Sequence, residues 1–285
     1  MTILRLRGRE FRPGEFAIMA VVNRTPDSFF DRGRTYGFTA ALEAVDGAVA
    51  GGADIVDIGG VKAGPGDEVD PAEEIRRVSD LVDAVRRRHP RLVVSVDTWR
   101  AEVGEVVAQA GADLLNDTWG GVDPDLAGVA ARHGIGLVCA HAGRVAPRTR
   151  PHRVAYDDVV ADVVGYTVGL AERAVAAGVN RESILIDPAH DFGKNTRHSL
   201  EVGRRLDEMV ATGWPVLVAV SNKDFVGETL GGLPVDERHA GSMATLAVSA
   251  WQGARVFRVH DAASARAALA TVTALRGRDA GADAR

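Results

Sequence analysis

A series of apolar runs rich in Val, Ile and Leu each end in a residue that can ionise or hydrogen-bond. In chain order these ends are Asn23, Asp57, Asp97, Asn116 with Asp117, His141, Asp187, Ser221 with Lys223, and Arg258 with His260. Carboxylates and amides beside apolar runs are costly to bury unpaired, and a ligand rich in N–H groups would supply their partners. Arg258 and His260 are two residues apart, so on an extended strand both point to one side while Phe257 and Val259 point to the other. A single polar strand end is ordinary; this many, brought to one rim, would form a polar cup.

The elements that must position these residues alternate regularly. Phe16 to Val22 reads as the first strand, and Thr39 to Gly51 as an Ala-rich helix closed by Gly51 and Gly52. Ala53 to Gly60 is a strand; Asp70 then caps a helix that has Pro71 at its first position. Further strands are expected at Leu92 to Asp97, Ala112 to Asn116, Gly136 to His141, Ile184 to Asp187, Val216 to Ser221 and Arg255 to His260. Helices are expected at Arg100 to Ala110, Asp125 to His133, Asp157 to Ala177, Thr196 to Thr212, Asp236 to Trp251 and Ala262 to Arg276. Strands alternating with helices imply parallel βαβ units, and about eight of them fit a single-domain (β/α)8 TIM barrel of the usual length near 250 residues. The competing architecture, a doubly wound open sheet, would be favoured by a G-x-G-x-x-G turn after the first strand, which is absent. The domain reading is a lead-in over residues 1–15, a barrel over 16–276 and a tail over 277–285. In a barrel, function sits where the strands end.

Composition narrows the partners. A net charge of -5 with interspersed signs argues against nucleic-acid binding, which shows a basic face. No apolar run is long enough to cross a membrane, and the first residues lack the pattern of a secretory signal. The single Cys139 excludes an internal disulfide and fits a reducing compartment, so the cytoplasm is expected. A small-molecule substrate is the expected partner.

Seven segments carry a family resemblance: NRTPDSF at 23–29, DIGG at 57–60, SVDT at 95–98, ND at 116–117, DPAHDFGK at 187–194, SNK at 221–223 and RVHD at 258–261. In order and spacing they resemble the motifs of dihydropteroate synthases over nearly the whole chain. That family has a (β/α)8 barrel and joins p-aminobenzoate to 6-hydroxymethyl-7,8-dihydropterin diphosphate, releasing diphosphate in folate synthesis. The resemblance implies that Asp97, Asn116, Asp187 and Lys223 hold the pterin ring. It implies that Arg258 lies against the ring's face, a role suited to a planar guanidinium. Arg258, His260 and Asn23 would then meet the diphosphate, with Mg²⁺ bridging to Asn23, since magnesium keeps waters and borrows phosphate oxygens. Ser221 joins the substrate-binding set, and Asp97, Lys223 and Arg258 the catalytic one. Asp97 would stabilise the cationic pterin methylene left when diphosphate departs. The resemblance also implies p-aminobenzoate or its sulfonamide and sulfone analogues as second ligands, and a homodimer.

The departures from the family pattern are concentrated in loops. Where the family continues DIGG with Glu-Ser-Thr-Arg-Pro-Gly, this chain has Val61-Lys62-Ala63-Gly64-Pro65-Gly66. Ser-Arg-Lys has become Ser221-Asn222-Lys223, and two motif glycines have become Ala189 and Asp191, on either side of His190. Arg24 replaces a small apolar residue, and with Lys62 it is a candidate to restore lost charge. Losing two desolvated guanidinium contacts would cost roughly 2–5 kcal/mol each. The resemblance therefore implies a divergent paralogue that keeps the pterin floor and condenses p-aminobenzoate weakly or not at all. An active synthase and a pterin-dependent methyltransferase are the competing readings.

Other residues have plainer readings. Cys139 lies in an apolar strand and reads as a packed small hydrophobe. His141, His152, His190 and His198 lack zinc-ligand spacing. The basic loop Arg144 to Arg153 reads as a solvated insert or an aid to anion binding. Trp99 and Trp119 could stack on a ligand or pack a helix start, and Asp54 and Asp113 fall at the opposite, structural rim.

Overall fold

The structure, a computed structural model, describes residues 2–26, 33–149 and 155–277. Residues 27–29 of the first motif, His152 with the end of the basic loop, and the tail from 278 onward lie outside the described residues.

Alternation of two side-chain directions along each strand builds the molecule. The strands are β1 Leu4–Leu6, β2 Arg9–Phe11, β3 Ala17–Asn23, β4 Ile55–Gly59, β5 Val93–Asp97, β6 Leu114–Asp117, β7 Gly136–Ala140, β8 Ile184–Asp187, β9 Leu217–Val218 and β10 Val256–Val259. The last eight form a parallel sheet in the order β8-β7-β6-β5-β4-β3-β10-β9, and a parallel bridge between Ile186 and Val216 closes it into a barrel. One set of strand residues, including Val56, Ile58, Val94, Val96, Leu115 and Phe257, packs against the surrounding helices in the larger core. The alternate set fills the barrel: Met19, Ile55, Val93, Leu114, Val138, Leu185, Leu217 and Val256 make one buried apolar layer. Two residues further along each strand, the same inward direction is taken by Asp57, Ser95, Asn116, Asp187 and Arg258. A polar layer therefore lies directly on an apolar floor.

Residues 2–15, read from sequence as a lead-in, are more than that. β1 and β2 pair as an antiparallel hairpin whose two turn residues, Arg7 and Gly8, both have positive φ, the geometry that matches strand twist. Its Leu4, Leu6 and Phe11 join the barrel's apolar layer and plug the end opposite the polar cup. The Arg-Gly turn is not one of the usual hairpin pairs, which is why sequence reading passes over it. Asp54 and Asp113 tie this end together. Asp113 accepts from Val94 N at 2.9 Å and pairs with Arg86 and Arg7, while Asp54 accepts from Ile18 N and pairs with Arg9 and Arg266.

The helices follow the sequence reading with two differences. Asp70 caps Pro71–Arg88 by accepting from Glu73 N at 2.8 Å, as its position before Pro71 predicts. The helix expected over Thr196 to Thr212 divides at Arg205 into Thr196–Arg204 and Leu206–Val210, and the guanidinium at the break binds Asp158 and Glu208. A six-residue helix, Asp224–Thr229, replaces part of the loop expected after Lys223. Among the described residues no helix is long and apolar enough to cross a membrane.

Candidate functional site

At the centre of the polar layer is Asp57, whose carboxylate is fully buried. It accepts from Ser95 Oγ at 2.6 Å, from Asn116 Nδ2 at 3.0 Å and from Arg258 Nε at 2.6 Å. Arg258 also donates through a terminal nitrogen to Asp97 Oδ2 at 3.0 Å, and Thr118 Oγ1 donates to Asp97 Oδ1 at 2.9 Å. Two of the expected site residues, Asn116 and Arg258, are thus joined through a carboxylate that the expected binding set left out, and Arg258 in turn links it to Asp97. The signal that could have found it was register: Asp57 is two residues before Gly59 and faces Ser95, one strand away. Burial pushes the Asp97 carboxyl up to about 7; Arg258 opposes this shift and the Asp57 charge adds to it. Arg258 is desolvated, yet its two carboxylate partners hold its pKa above the ordinary value.

Asp187 and Lys223 occupy the other side. Asp187 Oδ1 accepts from Ala189 N at 2.7 Å, and burial raises its pKa against the pull of Lys223. Burial lowers the Lys223 pKa, opposed by Asp191 and Asp187; its ammonium donates to the His190 carbonyl and lies 4.8 Å from the Phe192 ring centre. The loop after Asp187 keeps glycine-like backbone at two positions that are not glycine, with φ of 47° at Ala189 and 68° at Asp191. That conformation costs an L-residue about 1–2 kcal/mol and is better tolerated by Asp than by Ala. Asp191 is compensated, accepting from Phe225 N at 3.2 Å and sharing a hydrogen bond with Ser199 Oγ. His190 stacks on Phe225 at 5.3 Å, and among the described residues both of its buried ring nitrogens lack a hydrogen-bond partner.

At the rim, Ser221 Oγ lies 3.0 Å from His260 Nδ1 and so positions that ring. Asn23 and Asp97 flank Gly59: a Cβ there would lie 3.6 Å from Asn23 Oδ1 and 3.7 Å from Asp97 Cβ. Asn23, Arg34, Thr35 and His260 line an adjoining cavity of about 340 Å³. Arg24 does not restore charge to this mouth. It is buried, donates to the carbonyls of Arg77 and Tyr36, and so faces the helix Pro71–Arg88. Asn222 turns away as well, its amide oxygen accepting from Ser242 Oγ at 3.3 Å and its backbone N–H donating to the same hydroxyl. Arg148, in the loop after β7, donates to the carbonyls of Gly64 and Asp67 and pins the altered loop after β4.

Two strand-end candidates point out of the barrel, because each directly follows an inward-facing residue. Asp117 accepts from Gly121 N at 2.6 Å and organises its own loop. His141 is buried between Asp162 Oδ2 and Lys194 Nζ, each at 2.8 Å; burial and the Lys194 charge bring its pKa down to about 4. Burial likewise brings the Lys194 ammonium to about 7, and it fastens the sixth-strand loop through the carbonyls of His141 and Phe192. Trp119 is buried edge-on against Trp99 and Phe192, so it packs the wall. Cys139 is buried, and burial raises its thiol pKa, as suits a packed hydrophobe.

What this arrangement can do is hold a flat, N–H-rich ring: acceptors at Asp97 and Asp187, donors at Asn116 and Lys223, a guanidinium plane at Arg258. A family model described as pterin binding enzyme matches residues 19–260. The inactive dihydropteroate synthase 2 of Mycobacterium tuberculosis is 54% identical over 276 residues, covering 95% of this chain and 86% of that protein. Its namesake in Mycobacterium leprae is 53% identical over 276 residues, covering 95% and 94%. The crystal structure of Yersinia pestis dihydropteroate synthase with a sulfonamide drug superposes with a TM-score of 0.91 at 35% identity, over 97% of this chain and 100% of that one.

Proposed function

The chain belongs to the pterin-binding enzyme family as a divergent dihydropteroate synthase paralogue, and from that premise we propose that it binds a dihydropterin in its polar layer while condensing p-aminobenzoate weakly or not at all. The observation that carries this reading is the difference between floor and loops. Asp97, Asn116, Arg258, Asp187 and Lys223 face one space, whereas Arg24, Asn222 and Arg148 are bonded elsewhere. Asp97 and Asp187 would accept from the pterin amino and ring N–H groups, Asn116 and Lys223 would donate to its ring acceptors, and Arg258 would stack on its face. Any cationic methylene formed at the ring would meet Asp97 first.

Magnesium fits this chain only through a ligand's own oxygens. Among the described residues no three His, Cys, Asp or Glu side chains gather to hold a metal ion, and Asn23 would contribute a single amide oxygen. Bound so, Mg²⁺ would neutralise diphosphate charge. p-Aminobenzoate and sulfonamide or sulfone analogues would approach above the floor, the drug-bound Yersinia structure being the support. A homodimer is supported by exposed Val248, Trp251 and Leu275 on the packed helices His239–Gln252 and Ala262–Leu275. A cytoplasmic setting accords with the lone, buried Cys139.

Calorimetric titration of the full chain with dihydropterin ligands, followed by p-aminobenzoate in the same cell, tests the reading. Pterin binding with no diphosphate release is the expected result. Robust diphosphate release dependent on both substrates would establish an active synthase instead, and absence of any pterin binding would remove the reading altogether.

A further inference from the structure

The charges around the floor are unevenly matched. Among the described residues, four buried or nearly buried carboxylates, Asp57, Asp97, Asp187 and Asp191, face three cations, Arg258, Lys223 and Lys194, and Lys194 is shared with Asp162 and His141. Arg258 is already divided between Asp57 and Asp97, and the charges of Asp187 and Asp191 act on Lys223. Asp191 stands at a motif position that would otherwise contribute no charge.

Four cations near the mouth are engaged elsewhere, while Arg34 lines the cavity beside Asn23 and His260. Arg24 and Arg148 spend their donors on backbone carbonyls. Arg100 pairs with buried Glu74, and Arg238 with Asp224 and the Asn222 carbonyl. The N-terminus of Ala262–Leu275, next to His260, is a second place where an anion could be received. It is capped by the chain's own Asp261, which accepts from Ser264 N at 3.0 Å and Ser264 Oγ at 2.6 Å.

Resting on the pterin reading above, we infer that this site selects a reduced pterin whose 6-substituent is uncharged or cationic, such as an alcohol or an amine, over a pterin diphosphate. Such a ligand satisfies the carboxylates with its N–H groups and brings no further negative charge into a layer that already has more acids than bases. A diphosphate would have to break existing ion pairs or stand beside Asp191 unneutralised. The selected ligand is thus one that cannot lose diphosphate, which accords with a floor kept for binding.

The experiment is paired calorimetry on the full chain with 6-hydroxymethyl-7,8-dihydropterin and with its diphosphate, each with and without Mg²⁺. The alcohol is expected to bind at least about tenfold more tightly, because like-charge juxtaposition disfavours the diphosphate. Raising the salt concentration should narrow that preference by screening. Asp191→Asn retains an acceptor for Phe225 N while removing the charge, and should narrow the preference about threefold. Diphosphate binding as tightly as the alcohol, or more tightly, overturns the inference and leaves the pterin reading standing. Failure of both ligands to bind overturns the pterin reading itself. A preference unchanged in Asp191→Asn and at high salt overturns the electrostatic origin argued here.

Discussion

On β4, β5, β6 and β10 the inward-facing polar residues bind one another, whereas on the loops beyond those strands the polar residues bind the loops' own backbone or neighbouring helices. Asp57 alone links Ser95, Asn116 and Arg258. By contrast Arg24 serves the carbonyls of Arg77 and Tyr36, and Asn222 is tucked against Ser242. Removing one member of a buried charged network strands the others at a cost of several kcal/mol, so such a network holds its composition. A loop side chain bonded to backbone carbonyls or a single hydroxyl belongs to no such charged network, and its polar group can be redirected to a nearby partner at smaller cost. Polar networks kept on strands and polar contacts altered on loops are the outcome that this asymmetry favours.

The largest expected effect comes from cutting the floor itself. Arg258→Ala leaves Asp57 and Asp97 without their shared cation, and should cost about 3–5 kcal/mol of stability. Urea unfolding of the variant against the parent measures this; a loss below about 1 kcal/mol would mean that the floor is held by packing alone, and the contrast with the loops would collapse.

Next in size is the titration of Asp97. Its carboxyl holds a proton up to about 7 in the folded chain, because burial outweighs Arg258, and it loses that proton near about 4 when unfolded. Between those values the folded state carries the extra proton, so this residue's contribution to stability falls as pH rises through that window and stays at its low level above it. Asp97→Asn removes that dependence. The variant should therefore gain on the parent by on the order of 2 kcal/mol between pH 5 and pH 8, read from urea midpoints at both values. A difference that does not change with pH would place the titrating proton elsewhere.

Legibility divided along the same line. Residues on strands were readable because a two-residue period fixes their direction: Asp57, Asp97, Asn116, Asp187 and Arg258 all face inward as spacing requires. The same parity could have removed His141 and Asp117, each one residue past an inward position. The hairpin plug was hidden by an Arg-Gly turn and three-residue strands, too short for periodicity to register. Loop partners were not legible at all. Nothing local in the sequence says that Arg148 reaches carbonyls 84 and 81 positions away, or that Arg24 turns to Arg77, 53 positions away. Such contacts depend on where the barrel brings loops together, which no spacing rule supplies.

The smallest expected effect is the one that most sharpens the contrast. Among the described residues, the side chain of Arg148 donates to the backbone of a neighbouring loop, at Gly64 and Asp67. If loops and floor are energetically separate, Arg148→Ala should lower stability by less than about 1 kcal/mol, the net worth of partly solvated hydrogen bonds. By the same logic it should change pterin affinity by less than about threefold, since uncoupled sites share less than about 0.7 kcal/mol. Calorimetry beside an urea melt gives both numbers. An affinity loss beyond about tenfold with stability intact would show that the pinned loop orders the ligand as well as itself, since a coupling of that size needs a shared element. The loops would then belong to the binding site, and their altered sequence would be a change of ligand contacts rather than a loss of them.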